Sequence, residues 1–363
     1  MTETEIARLR NEIAAVDREI VAHVAKRLHL AEQVGLEKAL RGLPLRDPDR
    51  EAQILSGLLS ECASHAIGPT FAEGLAHLLI GESLRREEGV HPPEPIHRRV
   101  LVVGGAGQMG RWLCRFLRSR GYEVVVNDPS GPLDGFPFEP DLAKAVAEAD
   151  VVAVSVPMSA SAEVLRTIAA LMPRGLVFDI CSNKAPIEKE LRAMGAAALR
   201  VASVHPMFGP ELWPLSTGNI LFSDCGNAEA VLEAKELFRP SGANLVDVSL
   251  DHHDEFMAFL LALSHLSLLG FARCVANSPF DFGGLRRPAG TTFSRLSAAA
   301  IALLDDPPAL LREIQLLNPH TRMVHERIRA ALDDWERATF SDDPGAFYGL
   351  LAHARSYFGG DST

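Results

Sequence analysis

Gly105, Gly107 and Gly110 follow the apolar run VLVV at 100–103, and Asp128 lies further along, at the end of the next apolar run. A G-x-G-x-x-G turn between a strand and a helix lets the backbone approach a pyrophosphate closely and seats it on the helix N-terminus. Gln108 and Met109 complete that turn. An acid about twenty residues further on accepts hydrogen bonds from ribose hydroxyls and disfavours a 2′-phosphate. The expected cofactor is therefore NAD. The alternatives are a flavin, or a glycine turn that binds nothing. Ser155 and Pro157 close a later apolar run and are expected to line the same crevice.

His205 stands after a further apolar run and before Pro206, which holds its backbone extended. A histidine at the end of a late strand of a dinucleotide fold lies where substrates dock, and can act as a general base. Ser182 and Lys184, in DICSNK, also follow a strand; the serine could hydrogen-bond a substrate hydroxyl and the lysine could hold a carboxylate. Downstream, His253, His265 and Arg295 are polar residues in apolar surroundings. If Arg295 is buried it needs an anion, from the protein or from a substrate. No metal site is expected: His252 and His253 are adjacent on a predicted helix and point about 100° apart.

A second group of charges precedes the glycine turn. Arg27 and Lys38 are eleven residues apart and return to within about 20° of one helix face. Arg10 falls about 100° away and would serve another surface, such as a partner subunit's site. Asp47, Arg50 and Glu51 share a face, as do Ser83 and Glu87. Such residues can form an anion trap, or ordinary salt bridges on solvated faces. Helical spacing alone favours the second reading.

The elements that must position these groups follow from periodicity. Apolar residues recur at helical spacing from Ile6 to Val34, predicting one helix of about 35 residues, near 50 Å long. So long a helix cannot be covered by a ninety-residue segment, which points to packing against a second copy. Asp47-Pro48 predicts the cap and first residue of a second helix, and Thr70 the cap of a third. HPPEPIH is a proline-rich linker. Beyond it, continuous Val/Leu/Ile runs alternating with helical patterns predict buried parallel strands, and from about Asp251 the chain is helical again. The expected architecture is an all-α N-terminal domain (1–90), a linker (91–98), an α/β Rossmann-type dinucleotide-binding domain (99–247) and an all-α C-terminal dimerisation domain (248–363).

Composition narrows the classes. The 363 residues carry a net charge of −11 with no basic stripe, which argues against nucleic acid. The N-terminus is amphipathic rather than a signal peptide, and the apolar runs, broken by Ser264, His265 and Gly270, are expected to fall short of a membrane span. Five scattered cysteines without CxxC spacing fit a reducing cytoplasm and no structural zinc.

Taken together, these motifs resemble the bifunctional chorismate mutase–prephenate dehydrogenases over nearly the whole chain. The resemblance implies that Arg27 and Lys38 grip the carboxylates and ether oxygen of chorismate, with Arg10 supplied by the partner of a homodimer. It places Asp47, Arg50, Glu51 and Ser83 around the same pocket, Glu51 holding the ring hydroxyl, and puts Glu87 opposite the ether oxygen. A glutamate there must be protonated to donate, so its pKa should be raised. GGAGQMG, VSVP, HPMFGP and DHHDEFMAFLLALSH carry the resemblance to the dehydrogenase. It implies that His205 takes the C4 hydroxyl proton of prephenate as NAD is reduced, with Ser182 supporting the hydroxyl. Arg295 would bind a carboxylate and His265 would line the pocket, with His253 a weaker candidate.

Two stretches depart from the family pattern: Ser182-Asn183-Lys184 in place of Ser-Val-Lys, and PAGTTFS before Arg295 in place of Ser-Ser-Pro-Ile-Tyr. Both are expected near the ring and its C4 substituent. They keep open the same two reactions on 4-amino-4-deoxychorismate and 4-amino-4-deoxyprephenate. Rival readings are a dehydrogenase whose helical domain only dimerises or regulates, a lysine-dependent hydroxyacid dehydrogenase, and a cofactor-binding sensor without turnover.

Overall fold

The computed structural model describes residues 3–41, 43, 47–88, 96–212, 215 and 218–359. The chain divides into two compact units, Met1–Ser182 with Ile187–Leu250, and Asn183–Pro186 with Asp251–Thr363.

The first unit opens with three helices, α1 (Glu3–Leu40), α2 (Pro48–Ser64) and α3 (Pro69–Glu88). α1 runs unbroken through Gly35, the one residue in it that disfavours a helix strongly. A Cβ at Gly35 would lie 2.8 Å from Glu87 Cα, so glycine is what lets α3 approach this closely. Asp47 caps α2 by accepting from Arg50 N at 3.0 Å, ahead of Pro48 at the first helical position. The third helix starts two residues earlier than a Thr70 cap predicts. Pro69 is its first residue, and the Gly68 carbonyl accepts from Phe71 N and Ala72 N, so Thr70 is inside the helix rather than its cap.

The linker expected at 91–98 lies outside the described residues as far as 95. Residues 96–98 are already strand, because β1 covers Ile96–Val103 and Ile96 N donates to Gly121 O. There follow α4 (Gln108–Ser119), β2 (Tyr122–Asn127), α5 (Leu142–Ala147), β3 (Val151–Val154), α6 (Met158–Ala170), β4 (Leu176–Asp179), α7 (Glu188–Ala196), β5 (Val201–Pro206), β6 (Asn219–Asp224), α8 (Ala228–Phe238) and β7 (Asn244–Asp247). The seven strands lie in the order β2-β1-β3-β4-β5-β6-β7. All neighbours are parallel except β5 and β6, which pair antiparallel with His205 opposite Leu221. β3 and β4 are buried along their whole length, the pattern of a sheet covered on both faces. Chain order reverses direction between β1 and β3, and at such a switch point the strand C-termini open a crevice for ligands.

After β7 every regular element among the described residues is helical: α9 (Leu250–Met257), a π-helical stretch (Ala258–Leu263), α10 (Ser264–Ala276), α11 (Phe282–Arg286), α12 (Thr291–Leu304), α13 (Pro308–Leu316), α14 (Thr321–Thr339) and α15 (Pro344–Phe358). One expectation changes here. Ser264, His265 and Gly270 interrupt the apolar composition but not the helix, because none of them breaks the hydrogen-bond ladder. Leu250–Ala276 is a continuous helical rod of 27 residues whose most apolar window has a mean hydropathy of 1.7. By length and composition it could cross a membrane, and only 11% of that window is buried within the chain.

Candidate active sites

The first cavity lies among α1, α2 and α3 and encloses about 360 Å³, within the range of small-molecule sites. Its wall brings together Arg27, Lys38, Asp47, Arg50, Glu51, Ser83 and Glu87, all the residues that helical spacing left undecided between a trap and a solvated face. Leu30, Val34, Ile54 and Ile80 supply the apolar remainder. Arg27 Nη1 donates to Leu79 O at 2.8 Å and to Ser83 Oγ, and the serine hydroxyl donates to the same carbonyl, also at 2.8 Å. The guanidinium is thus held against α3. Burial, and then the charge of Arg50, lower its pKa from the ordinary arginine value.

Lys38 Nζ lies 2.8 Å from Glu87 Oε2 at the far side of the cavity. Burial pushes the Glu87 carboxyl above its ordinary range, Lys38 pulls it back, and Glu51 adds to the rise. A carboxyl so placed can hold a proton and donate it to a ligand oxygen. Asp47 does double service: its carboxylate is the α2 cap as well as part of the wall. Arg10 is exposed on α1 and is not part of this wall.

In the sheet, the glycine turn is more constrained than the three-glycine motif suggests. Gly104, one residue before it, adopts φ +82°, where a Cβ would lie 2.3 Å from Ser155 O. A Cβ on Gly110 would fall 2.1 Å from Gly104 O, so the start of α4 is pressed against the turn. The GG doublet directly after the apolar run was the available signal for Gly104. Asp128 Oδ2 accepts from Ala106 N at 2.9 Å, and Oδ1 from Ser130 N at 2.8 Å. The carboxylate therefore fixes the turn, and its remaining lone pairs can take ribose hydroxyls. A cradle without room for side chains, a helix N-terminus behind it and an acid beside it fit NAD. Ser155 N donates to Val103 O, holding the end of β3 beside the turn, and Pro157 is the N-cap of α6.

His205 is 3% exposed and sits within β5, not in the loop after it as expected, because its neighbourhood continues to pair with β6. Its strand neighbour Ser203 shares its face of the sheet. Ser203 Oγ donates to Asp179 Oδ1 at 2.7 Å, and Asp179 Oδ2 accepts from Cys181 N at 2.9 Å. This buried carboxylate turns the chain out of β4 and so sets the position of half-buried Ser182.

The next residues belong to the second unit. Lys184 N and Ala185 N each donate to the Asp254 carboxylate at 2.7 Å, and His253 Nδ1 lies 2.8 Å from it. Burial favours the neutral acid, but the His253 hydrogen bond and the two backbone donors outweigh it and hold Asp254 below its ordinary pKa. Asp254 thus anchors the backbone of Lys184 and Ala185, at the end of the Ser182–Lys184 loop. Lys184 is 1% exposed, so its side chain does not face an open cavity. Asn183 Nδ2 donates to Ile314 O at 3.2 Å and Asn318 contacts its Oδ1, so this departure from the family pattern is turned towards α13 and its neighbouring turn. His265 is half-buried with its Nδ1 unpartnered, and desolvation lowers its pKa despite the nearby Asp306. Arg295 corrects the expectation of burial. α12 buries Ser297, Ala300 and Leu303, and Arg295 lies off that face, exposed and without an ion pair among the described residues. Its need for an anion is therefore not imposed by burial in its own chain.

Comparison with known proteins agrees with this division. The family model for chorismate mutase type II matches residues 9–88, and that for the nucleotide-binding domain of prephenate dehydrogenase matches 135–222. The NAD-dependent epimerase/dehydratase family model matches 100–153, the span of the glycine turn. The T-protein of Enterobacter agglomerans is 28% identical over 98% of this chain and 93% of its own length. The 4-amino-4-deoxyprephenate dehydrogenase of Streptomyces pristinaespiralis is also 28% identical, over 72% of this chain and 91% of its own. The structure of prephenate dehydrogenase from Aquifex aeolicus with hydroxyphenyl propionate and NAD+ shares the fold, with a TM-score of 0.57 and 17% identity over 72% of this chain and 96% of that one. The chain joins a chorismate mutase type II domain to a prephenate dehydrogenase domain in one polypeptide.

Proposed function

We propose that this enzyme rearranges chorismate to prephenate in its helical N-terminal domain (1–90) and oxidatively decarboxylates prephenate to 4-hydroxyphenylpyruvate in the remainder, two steps of tyrosine biosynthesis. The observation that carries the reading is the cavity that gathers Arg27, Lys38, Glu51, Ser83 and Glu87 in the same chain as a glycine cradle for NAD. A pure scaffold has no use for a part-buried lysine–glutamate pair facing a cavity.

In the mutase site no bond to the protein is needed. Arg27 and Arg50 hold the carboxylates, Glu51 holds the ring hydroxyl, and Lys38 with protonated Glu87 stabilises charge developing on the breaking ether oxygen. The exposed Arg10 of a second copy completes the pocket. The apolar stripe of Ile6, Leu9, Ile13, Val16 and Ile20 on α1 is solvent-exposed in one chain, which supports a homodimer.

In the dehydrogenase site, NAD supplies the hydride acceptor. His205 accepts the C4 hydroxyl proton, Ser182 holds that hydroxyl, and the ring carboxylate departs as carbon dioxide, leaving its electron pair to aromatise the ring. Arg295 is assigned to a substrate carboxylate, reaching its site through the dimer, and His265 to the pocket wall as a neutral imidazole, whereas Lys184, being buried, is read as part of the loop's support. His253 acts through Asp254. The apolar rod Leu250–Ala276 is read as a face covered by the second copy, in a protein of the cytoplasm with no membrane or nucleic-acid partner.

The identity to the Streptomyces pristinaespiralis enzyme favours a second reading, in which the C4 substituent is an amino group. Asn183, directed at Ile314, no longer argues for it, which leaves PAGTTFS. The deciding experiment measures NADH production from prephenate and from 4-amino-4-deoxyprephenate, alongside chorismate consumption. A kcat/KM at least about tenfold higher for prephenate is expected, and the reverse order would assign the amino substrate. Failure to turn over either compound, or to consume chorismate, would overturn the corresponding half.

A further inference from the structure

The turn between α13 and α14 forms a cavity of about 620 Å³ that none of the roles above uses. Its wall carries Arg312, Arg322 and Arg329 together with His325, against a single carboxylate, Glu326. None of the three arginines has an ion pair among the described residues, although the chain as a whole is acidic at −11. In such a chain long-range attraction brings no anion to the surface, so unpaired cations gathered round one cavity mark a local exception.

Thr321 supplies an independent sign of a ligand. It lines the same cavity and is only 6% exposed, yet its Oγ1 has no hydrogen-bond partner. A buried hydroxyl left unpaired costs free energy, and an acceptor in the cavity would remove that cost. Thr321 is also the first residue of α14, a helix of 19 residues, so the positive end of the helix dipole faces the same place. The rest of the wall is held rigidly. His325 Nε2 lies 2.9 Å from Gln315 Oε1, Gln315 Nε2 donates to Ala262 O, and Asn318 is fixed by Asp254 O and His320 N.

We propose that this cavity is a binding site for a small polyanion, a phosphomonoester or a di- or tricarboxylate, gripped by Arg312 and Arg322 and accepting a hydrogen bond from the Thr321 hydroxyl. Two arginine forks match paired acidic oxygens, and Arg329, one to two turns further along α14, adds charge for a third. The inference does not rest on the reactions proposed above, and its test needs no turnover.

Isothermal titration of the full-length protein with citrate, and separately with inorganic phosphate, at ionic strength held constant with chloride, measures the site directly. The wild type should bind at least one probe saturably. The R312A/R322A variant should lose one anion site per chain or bind there at least about tenfold more weakly, the loss expected for one charge-assisted hydrogen bond. Thr321→Val, which keeps every charge, should weaken the same site several-fold. Citrate without phosphate would identify the ligand class as carboxylate, and the reverse as phosphate. Absence of saturable binding to both would overturn the proposal. So would unchanged site number and affinity in a double variant whose circular dichroism and melting match the wild type. Should that variant not fold, unchanged affinity in Thr321→Val would overturn it alone.

Discussion

The mutase cavity and the dehydrogenase residues are built in opposite ways. The first is assembled from three consecutive helices, and its cations and acids face one another within a single unit. The dehydrogenase candidates are dispersed: Asp128, Ser155, Ser182 and His205 belong to the first unit, and Lys184, His253, His265 and Arg295 to the second. In the helical site, side-chain spacing along the chain carries most of the geometry. In the other, geometry depends on carboxylates that act on the backbone, Asp179 at one end of the Ser182 loop and Asp254 at the other. A site read from helical faces can lose one residue and keep its shape, whereas a site hung on a loop depends on what anchors the loop.

Substitutions should separate the two. His205→Asn is expected to lower dehydrogenase kcat by ~10²–10⁴ while mutase activity on chorismate stays within about twofold. Retention of NADH production in that variant would refute general-base catalysis by this residue. Lys38→Ala should reverse the pattern, with a mutase loss of ~10²–10³ and an unaltered rate on supplied prephenate. Full mutase activity in Lys38→Ala would instead make the helical domain a dimerisation or regulatory module.

The anchoring carboxylate predicts a smaller, mixed effect. Asp254→Asn leaves the Lys184 and Ala185 donors with one neutral acceptor, and about 1–3 kcal/mol of stability should be lost in denaturant titrations at neutral pH. Because the folded-state pKa of Asp254 is depressed, its contribution is fully present above the unfolded value of about 3.9 and disappears as pH falls through the folded one. The stability difference between wild type and variant should therefore shrink in acid. A difference that stayed constant down to the acid transition would mean that the carboxylate charge does not hold the loop.

The same contrast explains what could be read from the sequence. The order of helices and strands, the glycine turn and the single face shared by Arg27 and Lys38 follow from local periodicity, which records which residues share a face. Asp179, Asp254 and Asn318 were not legible, because each acts on atoms brought near it by folding, and no spacing rule connects Asp254 to Lys184 across seventy residues. Arg295 was misjudged for a related reason: apolar neighbours along a helix do not say which side is covered. β6 and β7 were also missed, since their antiparallel and edge pairings carry a weaker apolar signature than the buried runs of β3 and β4.

The finest distinction between the two sites is in their response to pH. Glu87 must carry a proton to donate to the ether oxygen, and burial moves its carboxyl upward so that the protonated form persists to higher pH. Mutase kcat/KM should therefore fall as pH rises through the raised Glu87 value, approaching about tenfold per pH unit above it if one proton is essential. His205 must be without its proton to act, so the dehydrogenase should lose activity in the other direction, as pH falls. Glu87→Gln isolates the mutase limb, because an amide donates at every pH. Its mutase profile should be flat where the wild type declines, at the same dehydrogenase profile. A wild-type decline that persisted in Glu87→Gln would assign the titration to another group.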